Sequence, residues 1–152
     1  MTRPWPDLCY PMHPLRLRKE GEVLQVFDPI RKRWLVLTPE EWVRQHLVLH
    51  LNIDLGYPFS LMRAEAAAKR GVRPGRTDLT CHGMDGKALL LVECKAADVA
   101  LTPDVLHQVA AYNNRIGARW VAVTNGLALH CAEVGPAGIG WSTSLPQYQQ
   151  TV

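Results

Sequence analysis

The sequence predicts an α/β domain, a central mixed sheet with a helix on each face, and three observations predict it. Residues 88–92 form an unbroken apolar run, which is what a strand covered on both faces requires. Two Thr-Pro pairs, at positions 38–39 and 102–103, each open a helical pattern. Strand-like segments stand before, between and after those helices, in the order hairpin, helix, strands, helix, strands.

Residues 1–20 are Pro-rich and basic, with Arg16, Arg18 and Lys19 close together and no period of 2 or 3.6, and they read as an extended lead-in. Residues 22–27 and 34–37 are β-rich and are joined by Asp28-Pro29 and the basic triplet Arg31-Lys32-Arg33, which predicts a hairpin with a charged tip. Thr38, Pro39 and Glu41 form a helix start, with Thr38 as N-cap, Pro39 at the first helical position and Glu41 three residues after the cap. The helix follows through Trp42, Val43, Leu47, Leu51 and Leu55 and stops at Gly56. Residues 59–69 stay open between helix and strand, because alanines at 64, 66, 67 and 68 favour a helix; Gly71, Pro74 and Gly75 then break the chain.

A short strand over residues 79–81 follows Asp78, and a turn with two glycines leads into the apolar strand that delivers Glu93 and Lys95. The second helix runs from Pro103 to about Ile116 and closes at Gly117, with Val105, Val109, Tyr112 and Ile116 as its apolar stripe and Gln108 on the stripe's border. Residues 120–124 and 127–134 read as strands joined by Asn125-Gly126, a two-residue hairpin turn. One domain over residues 21–148 is expected, between the lead-in and a tail at 149–152.

The chain has 152 residues and 47% hydrophobic content, enough for one domain with its own core. Its net charge of +3 permits contact with a polyanion without arguing for one. No run approaches the ~18 apolar residues of a membrane span. The start of the chain, with four prolines in its first fourteen residues, lacks a signal peptide's apolar stretch, so a cytoplasmic location off the membrane is expected. The cysteines at 9, 81, 94 and 131 make no zinc spacing and are expected to be reduced. His46 and His50 are four apart but lack the acidic partner and third ligand of a zinc site, so they read as partly exposed helix histidines.

Chemistry concentrates at Asp78, Glu93 and Lys95. In a strand, residues two apart share a face, so Glu93 and Lys95 project together while Cys94 turns the other way. Carboxylates are the ligands hard cations prefer, and Mg²⁺ keeps several waters when bound, leaving room for a phosphate and an attacking water. Asp78 and Glu93 are the candidate ligands for Mg²⁺ or Mn²⁺, with the Cys94 carbonyl as a third, and Lys95 beside them to orient the water and stabilise charge. Fourteen residues separate the two acids, a spacing that recurs in unrelated proteins and is weak alone. A turn-capping Asp78 and a surface Glu93–Lys95 pair on a strand end, worth at most ~1 kcal/mol, is the competing reading.

The order of motifs is more specific than the triplet. Asp28-Pro29-Ile30-Arg31, Leu37-Thr38-Pro39-Glu40-Glu41-Trp42-Val43-Arg44-Gln45, Gly56-Tyr57-Pro58, Glu65, Arg76-Thr77-Asp78, Val92-Glu93-Cys94-Lys95-Ala96, Gln108-Val109-Ala110-Ala111-Tyr112-Asn113 and Thr124-Asn125-Gly126 follow one another over residues 24–148. Together they resemble the N-terminal nuclease domain of type I restriction enzyme R subunits, in a free-standing form, within the PD-(D/E)XK superfamily.

That resemblance implies a restriction endonuclease-like core of order αβββαβ and Mg-dependent hydrolysis of DNA by an endonuclease. It adds Glu65 and Gln108 to the catalytic candidates Asp78, Glu93 and Lys95, with Tyr112 one turn beyond Gln108. Arg73 and Arg76 beside Asp78 are candidate phosphate contacts. DNA, a homodimer and other restriction or DNA-processing subunits are the implied partners. Residues 83–87 lack the spacing and the Ser or Thr of a phosphate loop, so no ATP-driven motor is expected in this sequence. A catalytically silent nucleic-acid-binding or assembly module of the same fold is the alternative, and an RNA or small-phosphoester substrate a third.

Overall fold

The computed structural model describes residues 5–65, 77–135 and 138–148, with the backbone alone at 65, 77, 78, 138 and 139. The helical tendency of 66–69, the breaks at Gly71, Pro74 and Gly75, and the candidates Arg73 and Arg76 lie outside the described residues.

The described residues form two sheets. Strands β1 (Leu17–Glu20), β2 (Val23–Asp28) and β3 (Arg33–Val36) make a three-stranded antiparallel sheet. The end of the lead-in is therefore paired backbone: Leu17 faces Val26 and Glu20 faces Val23 across the ladder. Its sequence hides this because all four β1 residues are exposed, so no alternation of apolar and polar residues marks the strand.

Helix α1 (Pro39–Leu49) starts as its cap chemistry requires: the Thr38 hydroxyl accepts from the Glu41 amide at 3.1 Å. The cap contributes about 1 kcal/mol. Val43, Leu47, Val48 and Leu51 are fully buried, and each contributes roughly 1.5–3 kcal/mol, so packing rather than capping decides that this segment is a helix. The helix continues as a wider π-turn over His50–Asp54 and ends before Gly56, whose φ of 85° suits a residue without Cβ.

The main sheet has six strands in the order β4 (Met62–Glu65), β5 (Thr77–His82), β6 (Ala88–Cys94), β7 (Trp120–Thr124), β8 (Leu129–Gly135) and β9 (Gly138–Ser142). Only β6 and β7 are parallel, joined through helix α2 (Pro103–Ile116). The segment left open at 59–69 forms a 3₁₀ turn over Phe59–Leu61 and then strand β4, so sheet pairing with β5 outweighs the local helix preference of Ala64. The turn after β7 spans residues 125–128, not two: Thr124 pairs with Leu129, and Asn125 Oδ1 accepts from the amides of Leu127 and Ala128. Strand β9, unmarked among glycines and polar residues, closes the sheet.

Alternation along β6 assigns the two faces. Leu90, Val92 and Cys94 join the core beneath α1, whereas Leu91 joins Val109, Val121 and Val123 beneath α2. The result is a mixed six-stranded sheet between two helices, in the order α1, β4, β5, β6, α2, β7, and it is compatible with the expected restriction endonuclease-like αβββαβ core.

His46 is buried, at 3% exposure, instead of partly exposed as its position suggested. Trp42 meets its ring edge-on at 4.3 Å, and neither ring nitrogen has a hydrogen-bond partner among the described residues. Burial first, and the nearby His13 second, push its pKa down from 6.5 to about 4. The folded form thus refuses a proton that the unfolded chain accepts below 6.5, so stability falls as pH drops from about 6.5 to about 4. The shift corresponds to about 3 kcal/mol, and His46→Leu is expected to flatten that part of a denaturant-midpoint profile against pH.

Candidate functional site

Register brings the acidic positions into line. Glu65 is the Cα partner of Asp78, and Asp78 is the Cα partner of Glu93, so one row crosses β4, β5 and β6. Paired positions of a sheet share a face. Since Glu93 has the parity of Leu91, its own side chain lies on the face covered by α2.

Glu93 is the best-defined member of the row. The apolar run that makes β6 a central strand carries it into the interior, where it is 2% exposed. Lys95 lies one residue beyond the strand, with its Nζ 3.0 Å from Glu93 Oε1 and its side chain 20% exposed. A buried carboxylate costs several kcal/mol unless a charge faces it, and here an ammonium does. The backbone amide of Lys95 donates to the Thr124 carbonyl at 2.8 Å, which fixes the residue against β7.

Cys94 is fully buried on the α1 side, so its thiol faces away from the row and only its carbonyl belongs to the candidate set. Gln108 is exposed on α2, one turn before Tyr112, which packs against the core beneath that helix. Among the described residues no three His, Cys, Asp or Glu side chains form a group that would hold a metal ion; the carboxylates at 65 and 78 lie outside that description. The donor chemistry fits a hard cation: carboxylates and one carbonyl, with no thiol and no imidazole in the row. A cleft of about 910 Å³ sits at the opposite end of β6, lined by Gly83, Leu89, Ile116, Arg119 and Tyr148, and it is separate from this row.

Several motif residues prove to be scaffolding. Asn125 Nδ2 donates to the Val99 carbonyl at 2.8 Å while its Oδ1 holds the 125–128 turn, stapling the loop after β7 to the loop after β6. Asn113 bonds both the amide and the carbonyl of Ala118 at 2.9 Å and so secures the end of α2 beside Gly117, which has a φ of 73°. Tyr57 donates its hydroxyl to the Pro146 carbonyl at 2.9 Å.

Little in the sequence marks the buried cluster that ties the hairpin to α1. Arg44, with no exposed surface, donates from Nη2 to Asp28 Oδ2 at 2.7 Å and to Glu41 Oε2. Asp28 is equally buried; burial alone would raise its carboxyl, but Arg44 and the amides of Arg31 and Ile30 outweigh that and hold it below the ordinary carboxylate range. Burial would likewise lower Arg44, and Glu41 and Asp28 reverse it. Helical position was the only available signal: Glu41, Arg44 and Gln45 lie at i, i+3 and i+4, and Gln45 Nε2 donates to the same Glu41 oxygen.

A mixed six-stranded sheet between two helices is compatible with the class of restriction endonuclease-like folds. Comparison with protein families gives the narrower placement: the type I restriction enzyme R protein N terminus family matches residues 39–142. The chain belongs to that family. Comparisons with curated proteins and with solved structures return no match. No helix among the described residues is long and apolar enough to cross a membrane.

Proposed function

We propose that this domain hydrolyses phosphodiester bonds of DNA with the help of Mg²⁺ or Mn²⁺, acting as an endonuclease. Membership of the type I restriction enzyme R N-terminal family supports a nuclease-related role, and DNA and restriction subunits are its partners in general. One observation carries the finer reading: the buried Glu93 carboxylate, paired with Lys95 at 3.0 Å and in register with Asp78.

In this reading Asp78 and Glu93, with the Cys94 carbonyl, would hold the divalent ion, which would supply charge neutralisation at the phosphate, and Glu65 is the further catalytic candidate in the same row. Lys95 Nζ donates to the attacking water or to a phosphate oxygen and stabilises the negative charge that builds there. Gln108, on the helix over the same face, orients the scissile phosphate. The Cys94 side of β6, packed under α1, excludes water from beneath the row and keeps Glu93 fixed.

The test combines cleavage of supercoiled and linear duplex, single-stranded DNA and RNA with Mn²⁺ calorimetry. Metal-dependent cleavage of DNA, with one-site Mn²⁺ binding that Glu93→Gln removes, is the expected outcome. DNA binding that needs no divalent ion, with no cleavage and identical Mn²⁺ titrations of both proteins, would replace the nuclease by a silent binding module.

A further inference from the structure

The small sheet contains a charged surface that the proposed chemistry does not use. Residues 15–36 hold six of the 17 basic residues and three of the 14 acidic ones, leaving 11 of each elsewhere, so the entire net charge of +3 resides in this sheet and its turns. One of those three acids, Asp28, is buried against Arg44 and does not offset the surface.

The outer face of the sheet is built from arginine and aromatic residues. Phe27 and Trp34 are Cα partners whose rings meet edge-on at 5.4 Å. The Arg16 guanidinium lies 4.6 Å from the Phe27 ring centre and 5.3 Å from that of Trp34, and the Arg18 guanidinium lies 4.3 Å from Trp34. Arg18 Nε donates to Gln25 Oε1 at 2.7 Å, and its Nη2 is 3.7 Å from Glu20, a pair exposed enough for solvent to screen it. Lys32 and Arg33 add exposed charge at the hairpin tip.

Stacking fixes what these groups can bind. A guanidinium already lies over each ring, so the surface does not offer bare aromatics for base stacking. It offers N–H edges held in place at low entropic cost, which match phosphate oxygens. Two ordered arginines on a short sheet, with a basic turn at one end, fit a run of phosphates and carry no means of reading bases.

We propose that the β1–β2–β3 face, through Arg16 and Arg18 stacked on Phe27 and Trp34, is a sequence-independent docking surface for the phosphate backbone of duplex DNA. This deepens the function proposed above and rests on DNA being the substrate. It does not rest on cleavage.

The experiment uses the full chain carrying Glu93→Gln, in EDTA, with a fluorescent 30-base-pair duplex, and reads Kd by anisotropy over a range of salt concentrations. Adding Arg16→Gln and Arg18→Gln is expected to weaken binding and to reduce the slope of log Kd against log salt by about 1.8, since each lost phosphate contact removes ~0.9. Arg16→Lys with Arg18→Lys is expected to retain most of the slope, which separates lost charge from a disordered sheet. Arg119→Gln, at an exposed arginine paired with Glu133, is expected to leave the slope unchanged. An unchanged slope in the double glutamine variant, an equal loss in Arg119→Gln, or no duplex binding by the parent would each overturn the proposal. Cleavage by the Glu93 form with an unchanged salt slope would keep the nuclease and remove this surface; binding without cleavage would do the reverse.

Discussion

Glu93→Gln is expected to abolish metal-dependent DNA cleavage while leaving the fold in place. The substitution keeps shape and volume on a strand that is buried from Leu89 to Cys94, so the core beneath α1 is untouched. It removes the negative charge that faces Lys95 at 3.0 Å and one oxygen ligand of the proposed ion. Loss of a single charge-stabilising group in a catalytic site costs about 10²–10³ in rate, and loss of the ion as well takes the rate to background. Single-turnover cleavage in Mn²⁺ and the Mn²⁺ titration should fail together. Cleavage within threefold of the parent would remove Glu93 from the mechanism. Lys95→Ala should separate the two roles, losing rate while still binding Mn²⁺.

The largest stability effect is expected at Arg44. Arg44→Met leaves the buried Asp28 carboxylate facing the Arg31 guanidinium at 3.6 Å in place of Arg44 at 2.7 Å and strips Glu41 of its charged partner, and breaking a buried pair from one side costs about 3–5 kcal/mol. That loss approaches the whole stability of a small domain, so the single variant should unfold at far lower urea. Asp28→Asn added to Arg44→Met should recover part of it, because an amide at 28 removes the stranded charge and still accepts from the Ile30 amide. The pH dependence has a definite sign. In the parent, Asp28 is held below its unfolded pKa and contributes stability that is lost as pH falls through the carboxylate range. In Arg44→Met the penalty is greatest at neutral pH and shrinks on acidification, as the stranded carboxylate takes up a proton. Urea midpoints at pH 7 and pH 4 check both statements.

The parts of this architecture legible in the sequence are those governed by local chemistry. Thr38-Pro39 and Thr102-Pro103 announced their helices because a cap and a fixed φ act within one turn. The run from Ala88 announced a central strand because burial on both faces leaves no polar residue. The illegible parts depend on partners far along the chain. Strand β1 exists because β2 supplies its ladder, and β4 because β5 does. Arg44 is buried because Asp28, sixteen residues earlier, meets it, a partner that helical periodicity does not point to. Of the candidate site, the Glu93–Lys95 pairing followed from alternation alone, whereas the alignment of 65, 78 and 93 needed the register of three strands.

The alternation that turns Cys94 under α1 also buries Cys81 and Cys131 in the same interior layer, where desolvation pushes the thiols of Cys81 and Cys131 up to about 12. Cys9 alone is exposed. A maleimide dye added to the native protein therefore attaches at a single place, and the appearance of second, third and fourth labels becomes a clock for global opening of the sandwich.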